Sequence, residues 1–196
     1  MDPRVTELHC IMPIGNVPSV LEHGILSHAR AARLRHRPVA MQPVQDRRDM
    51  RSVPHGLKLH QYANLYVHAR NPMLFKRKDE ASSLCVLRVA TEVLELAGVV
   101  ITDGNAASDY VRYLAPSQWK VLDFEDIYAL DWRHPGDPSR SFQHKSRKCA
   151  EVLVPDCVEP RFLTGAHVVD SEAAALLNNS GFGLPVVIDP VLFFRP

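Results

Sequence analysis

Short apolar runs cut off by proline, glycine or a polar cluster decide what this chain can fold into. Leu8–Ile11, Ala63–His68, Leu84–Val89, Val99–Thr102 and Ala150–Val154 are each four to six residues long. That length suits strands rather than long core-covering helices. Val168–Val169 and Val186–Ile188 are candidates to close the same sheet. Val17–Glu22 reads as a brief helix, with Asn16 able to cap its amides, Pro18 near its start and Gly24 past its end. Thr91–Ala97, ending at Gly98, and Asp123–Ala129 read as further short helices. Strands outnumber helices and the connections vary in length, so an α+β fold with a mixed or antiparallel sheet is predicted. The 196 residues, 46% hydrophobic and 23% charged, fit one domain over residues 1–196 and exclude a wholly disordered chain.

The net charge of +1 hides an asymmetry. Residues 28–78 carry twelve Lys/Arg against Asp46 and Asp49, a net +10, whereas residues 79–137 carry four Lys/Arg against eleven Asp/Glu, a net −7. A basic segment of that strength points to a polyanion or to a solvated arginine-rich surface. Residues 27–58 show little apolar periodicity and read as a long, partly helical excursion. Residues 133–148 read as a polar, basic loop rich in turn formers, running into the strand that carries Glu151.

Several function classes lack their signatures. There is no GxxxxGK[ST] loop, no GxGxxG after a strand, no GxSxG elbow and no HExxH helix. Cys10, Cys85, Cys149 and Cys157 form no CxxC pair, so no metal centre is expected, and a domain of this size needs no disulfide. Apolar runs such as Ala97–Ile101 are far too short to cross a bilayer, and Met1–Glu7 lacks the apolar stretch of a secretory signal. A cytoplasmic protein without membrane contact is therefore expected. What remains is polar residues on apolar strands. Glu151 opens a strand, as an edge-strand charge or as a working carboxylate. His9 lies inside the first strand, as a satisfied core residue or as a ligand-binding one. Arg47, Arg48 and Arg51 sit in the basic segment, on the surface or in a site.

The words around these residues carry a resemblance. Leu8-His9-Cys10-Ile11, the stretch Ile14–Ser27 (IGNVPSVLEHGILS), Gln45-Asp46-Arg47-Arg48, Leu59–Tyr66 (LHQYANLY), Arg70–Phe75 (RNPMLF), Ile101–Ser108 (ITDGNAAS) and Ala150–Val154 (AEVLV) follow one another in a fixed order. In that order the chain resembles the DarT family of DNA ADP-ribosyltransferase toxins over roughly residues 7–160. It departs at Leu8, where the family has an aromatic residue, and at Val67-His68-Ala69.

The resemblance implies an ADP-ribosyltransferase fold, a split, mostly antiparallel sheet around a cleft for NAD⁺ as co-substrate. It implies Glu151 and Arg48 as catalytic residues, and His9, Asn16 and Tyr66 as cofactor-binding residues, with Tyr66 stacking on nicotinamide. A carboxylate is what the chemistry needs, because the nicotinamide–ribose bond breaks through an oxocarbenium-like transition state. Arg48 is expected to bind the pyrophosphate or to take part in proton transfer from the base, the latter opposed by the high pKa of guanidinium. Asn16 keeps its alternative as a plain helix cap. The implied acceptor is a thymidine in single-stranded DNA, held by Arg51, Trp132, Arg140, Lys145, Arg147 and Lys148. Residues 28–58 are a second DNA-binding candidate and a lid over NAD⁺. The implied partner is a DarG-like macrodomain antitoxin. Transfer to guanosine, RNA or protein on the same fold, and a non-catalytic nucleic-acid-binding domain, are the alternatives.

Overall fold

Pleated alternation turns the apolar runs into strands with one face inward. The computed structural model describes residues 2–34 and 42–195; Arg35 and Arg37 of the basic segment lie outside the described residues. The described residues form β1 (Leu8–Pro13), β2 (Ile25–Leu26), β3 (Tyr62–Tyr66), β4 (Leu84–Val89), β5 (Val100–Thr102), β6 (Tyr113–Leu114), β7 (Glu151–Pro155), β8 (Cys157–Val158), β9 (Leu163–Val168) and β10 (Val186–Ile188). The helices are α1 (Val17–His23), α2 (His28–Ala31), α3 (Gln42–Asp49), α4 (Pro72–Lys76), α5 (Phe124–Tyr128), α6 (Pro138–Arg147) and α7 (Ser171–Asn179). Eight strands make one sheet in the order β10-β9-β4-β1-β3-β7-β5-β6, while β2 and β8 pair apart. The pairings of the large sheet are antiparallel except β9 with β10. The expected α+β, mostly antiparallel architecture is therefore present.

One junction in this sheet is thin. β1 is in register with β4 through six residue pairs, from Leu8↔Val89 to Pro13↔Leu84. It meets β3 at a single pair, His9↔Tyr66. Strands held at one point part beyond it, and the sheet opens between β1 and β3. The main core lies on both sides of that split, with Leu8, Leu65, Val86, Leu87, Val152 and Phe193 fully buried. A smaller cluster of Val53, Leu59, Tyr62, Ala106 and Leu153 seats the segment after α3 on β3 and β7.

Three local expectations change. Residues Thr91–Glu95 form a 3₁₀ turn, shorter than the helix read over Thr91–Ala97. Asn16 makes no side-chain capping bond to α1, because its own backbone is already helical at the end of a preceding 3₁₀ turn. The basic stretch read as a loop contains α6, started by Asp137, whose carboxylate accepts from the Arg140 N–H, and by Pro138 in the first turn.

Carboxylates hold α6 from behind. The buried Asp126 of α5 accepts from Arg140 at 2.6 and 2.7 Å and from Arg147 at 2.8 Å. Arg147 also reaches Asp123 at 2.9 Å. Burial works to raise the Asp126 pKa, but the two guanidinium groups more than offset it and hold the carboxyl at about 2. A carboxyl depressed in this way adds stability that is complete above its unfolded pKa of about 3.9 and is lost as pH falls through the folded one. The difference in melting temperature between wild type and Asp126→Asn is therefore expected to shrink as pH falls from about 4 to about 2. Thermal melts of both proteins across that range check it; a constant difference would detach Asp126 from acid stability.

Candidate active site

A cleft of about 500 Å³ occupies the split between β1 and β3. Cys10 and Met12 line it from β1, Asn64 and Tyr66 from β3, and Arg47 and Arg48 from α3. The loop after β5 adds Asn105, Ser108 and Tyr110, and α6 adds Phe142 and Lys145.

At its base lies an ion pair. Glu151 opens β7 beside Tyr66 in register, and β7 runs between β3 and β5. The carboxylate is thus interior to the sheet and is no edge charge. Glu151 is 2% exposed. Its Oε2 lies 2.9 Å from Arg48 Nη1, and its Oε1 accepts from the Ala106 N–H at 3.0 Å. The Glu151 N–H donates to Thr102 Oγ1 at 3.0 Å, so strand and carboxylate are both tied down. Arg48 is 7% exposed. Burial works against its charge, but the Glu151 carboxylate more than compensates and raises its pKa above the ordinary value. Arg48 Nη2 is buried with no hydrogen-bond partner among the described residues. A desolvated cationic donor on a cleft wall is a ready partner for an acceptor oxygen. Burial, with Glu151 and Cys149 nearby, pushes the Tyr66 hydroxyl well up, so that ring stays neutral.

The cleft thiols are not reactive. Burial pushes Cys10 and Cys149 each up to about 12, and all four cysteines are free.

Arg48, Tyr66 and Asn16 line this cleft, and Glu151, behind the lining, is joined to it through Arg48; Asn16 donates to Met12 Sδ at 3.7 Å. His9 does not join them. Although it stands opposite Tyr66 in register, it lines a separate cavity with Glu7, His68, Tyr128 and His167, and Cys10, Ile11 and Met12 line the cleft from β1. The expected nucleic-acid set divides as well. Arg51 donates to the Ser108 carbonyl at 3.2 Å and pairs with Asp109, fastening the loop after β5. Trp132 lies outside the cleft lining and packs edge-on against Phe75 and Phe194. Arg140 and Arg147 serve Asp126. Lys148 is fully buried, its Nζ donating to the carbonyls of Ile127 and Ala129 at 2.7 and 2.6 Å, and burial pushes its pKa down to about 8. Lys145 alone of that set lines the cleft, exposed and without an ion pair among the described residues. Beside it stand two exposed aromatic residues that composition did not single out, Phe142 and Tyr110, 62% and 85% exposed. The spacing of Phe142 and Lys145, three apart on one helix, is the signal that would have found the first of them.

This arrangement can hold an extended polar ligand along the split sheet, stabilise positive charge at Glu151 and grip an acceptor oxygen with Arg48. Known proteins carry the same frame. A curated fusion of a DNA ADP-ribosyl transferase with a DNA ADP-ribosyl glycohydrolase from Thermosipho africanus is 34% identical over 204 residues, covering 100% of this chain and 51% of the fusion. The chain thus spans about half the length of that relative. A DNA ADP-ribosyl transferase from Thermus sp. is 27% identical over 164 residues, covering 78% of this chain and 76% of that protein. The structure of Thermosipho africanus DarTG in complex with ADP-ribose is similar with a TM-score of 0.82 at 32% identity, covering 97% of this chain and 51% of that one. Thermus sp. 2.9 DarT in complex with ADP-ribosylated ssDNA shares the fold with a TM-score of 0.80 at 23% identity, covering 97% of each chain. Residues 9–194 match the family model described as ssDNA thymidine ADP-ribosyltransferase, DarT, and the chain belongs to the DarT family.

Proposed function

We propose that this chain is one ADP-ribosyltransferase domain that transfers ADP-ribose from NAD⁺ to thymidine in single-stranded DNA, and that Glu151 and Arg48 carry the reaction. The buried Arg48–Glu151 pair behind the cleft wall, with Arg48 Nη2 unpartnered among the described residues, is the observation that supports it most. The cleft volume of about 500 Å³ lies within the range of cofactor sites, about 300–1,000 Å³. NAD⁺ would supply an ADP-ribosyl group whose nicotinamide bond breaks as positive charge grows on the ribose. Glu151 faces that charge as a fixed carboxylate, already oriented by the Ala106 N–H and Arg48. Arg48, held charged by Glu151, acts by donating hydrogen bonds rather than by accepting a proton. Tyr66 offers a neutral ring and Asn16 an amide to the same ligand, and His9, opposite Tyr66 in register, stands at the edge of that cofactor set.

Base recognition falls to the rim. Phe142 and Tyr110 form a stacking platform and Lys145 a phosphate contact for a single strand. Phe142→Ala is expected to weaken binding of a single-stranded oligonucleotide by about 1–3 kcal/mol with the salt slope unchanged. Lys145→Glu is expected to flatten the log–log salt slope by about 0.7. Arg147→Glu is expected to lower the melting temperature instead, because it places a carboxylate against Asp123 and Asp126. Fluorescence anisotropy across salt concentrations and thermal melts of the three variants separate these outcomes; a flattened slope for Arg147→Glu with unchanged stability would reverse the assignment.

Labelled NAD⁺ incubated with oligonucleotides that each lack one base type tests the activity. Label is expected on every strand that contains thymidine and on no strand that lacks it. Label following guanosine, RNA or protein would move the acceptor, and no label with intact strand binding would favour a non-catalytic nucleic-acid module. Among the described residues no helix is long and apolar enough to cross a membrane. A cytoplasmic toxin role, countered by a DarG-like macrodomain that removes the modification, is supported by the glycohydrolase half of the Thermosipho fusion.

A further inference from the structure

Helix α3 carries Arg48, yet its sequence gives it little to dock with. Apart from Pro43, the stretch Gln42–Asp49 (QPVQDRRD) holds one apolar residue, Val44. Surface helices are normally seated by an apolar stripe, so the position of α3 falls to polar contacts. Gln45, Arg48 and Asp49 stand three and four residues apart and share one face. From that face Arg48 reaches Glu151. Gln45 and Asp49 both reach one ring, that of His60. Its Nε2 lies 2.9 Å from Gln45 Oε1 and its Nδ1 3.2 Å from Asp49 Oδ1.

His60 is mounted firmly enough to be the fixed half of a clamp. It sits in the 3₁₀ turn Leu59–Gln61, which runs straight into β3. Leu59 and Tyr62, on either side, are buried in the small cluster with Val53, Ala106 and Leu153. The Gln61 carbonyl accepts from the Asp156 N–H at 2.8 Å, and the Leu59 N–H donates to the Arg51 carbonyl at 3.0 Å. His28 of α2 packs on the ring, with centroids 4.3 Å apart. The His60 side chain is 14% exposed and does not line the cleft. Its two partners suit either charge state of the ring. An ionised Asp49 faces a proton-bearing Nδ1 in both, while the Gln45 amide presents its oxygen to a protonated Nε2 or, turned over, its NH₂ to a bare one.

We propose that His60 is a positioning residue for the transfer: it seats α3 against the cleft, so that the Arg48 guanidinium stays on Glu151 and keeps Nη2 for the ligand. The inference rests on the role proposed for Arg48 above. Misplacing a working group by about 1 Å costs about 10² in rate, and a two-turn helix without an apolar face has little else to resist such a shift. Nothing in the spacing of residues 45, 49 and 60 announces the clamp, because its two halves meet only when the chain turns back through residues 51–58.

The test combines transfer rates with amide hydrogen exchange, which reads the seating of α3 whether or not the chain transfers ADP-ribose. In His60→Ala the amides of α3 are expected to exchange about tenfold faster, the scale of one lost hydrogen bond, with β3 and β7 unchanged. The rate at saturating NAD⁺ and thymidine-containing strand is expected to fall by about 10², with KM for NAD⁺ held within a few-fold. His60→Asn, whose amide nitrogen takes the place of Nδ1 toward Asp49, is expected to recover part of both losses. Where circular dichroism shows that His60→Ala does not fold, the double variant Gln45→Ala/Asp49→Ala removes the clamp from the helix side, and its exchange decides. Protected α3 amides in these variants, exchange raised equally in β3 and β7, or a full saturating rate in His60→Ala overturns the positioning role. A wild type that labels no acceptor counts against the proposed reaction instead, and the exchange comparison then decides by itself whether His60 seats α3.

Discussion

Glu151→Gln is expected to cut transfer by a factor of about 10²–10³ or more while the protein still folds. The amide keeps the volume and the acceptor that receives the Ala106 N–H, but it removes the negative charge that faces the growing charge on the ribose. It also leaves Arg48 as a buried cation without its counter-charge. Breaking a buried pair from one side costs about 3–5 kcal/mol, so the melting temperature should fall along with turnover. Single-turnover kinetics with labelled NAD⁺, run beside scanning calorimetry, separates the two losses. A variant that melts lower yet turns over near the wild-type rate would make Glu151 a structural residue.

Arg48→Ala is expected to lose turnover on a similar scale, and Arg47→Ala to change it by no more than a few-fold. The two arginines are neighbours on α3, but Arg47 is exposed and Arg48 is buried against Glu151 with one nitrogen left to donate. Arg48→Lys is the sharper variant. It keeps the charge and the Glu151 contact but loses the planar fork that offers a second donor at a fixed angle. Turnover in Arg48→Lys should therefore stay close to that of Arg48→Ala, and rescue by lysine would reduce the role to charge. Equal, small effects at positions 47 and 48 would return both to the basic surface.

Strand β4 was legible to the residue, because Leu84–Val89 is apolar but for Arg88. Glu151 was legible as the polar start of an apolar strand, though its place inside the sheet depends on pairing that no local pattern shows. Helix α6 was not legible as a helix. Periodicity arguments look for an apolar face, and the buried side of α6 is Arg140, His144 and Arg147 laid against Asp126. Lys148 misled for the same reason, since its charge reads as surface while its ammonium is satisfied by two carbonyl oxygens indoors. The cavity that His9 lines was not legible, because His68 and His167 reach it only through strand pairings that no local pattern shows.

The fastening of α6 separates two kinds of change that usually interfere. Arg140 and Arg147 anchor the helix on its far side, whereas Phe142 and Lys145 on the cleft side are exposed. Substitutions at the exposed pair touch none of the anchoring contacts, so their effects on acceptor choice and on folding should add independently. A lineage, or a directed-evolution library, can then vary the rim that meets the acceptor base without drawing down the stability that keeps Glu151 and Arg48 in place. Acceptor preference on this scaffold is in that sense a separately adjustable trait, mounted on a helix whose position other residues guarantee.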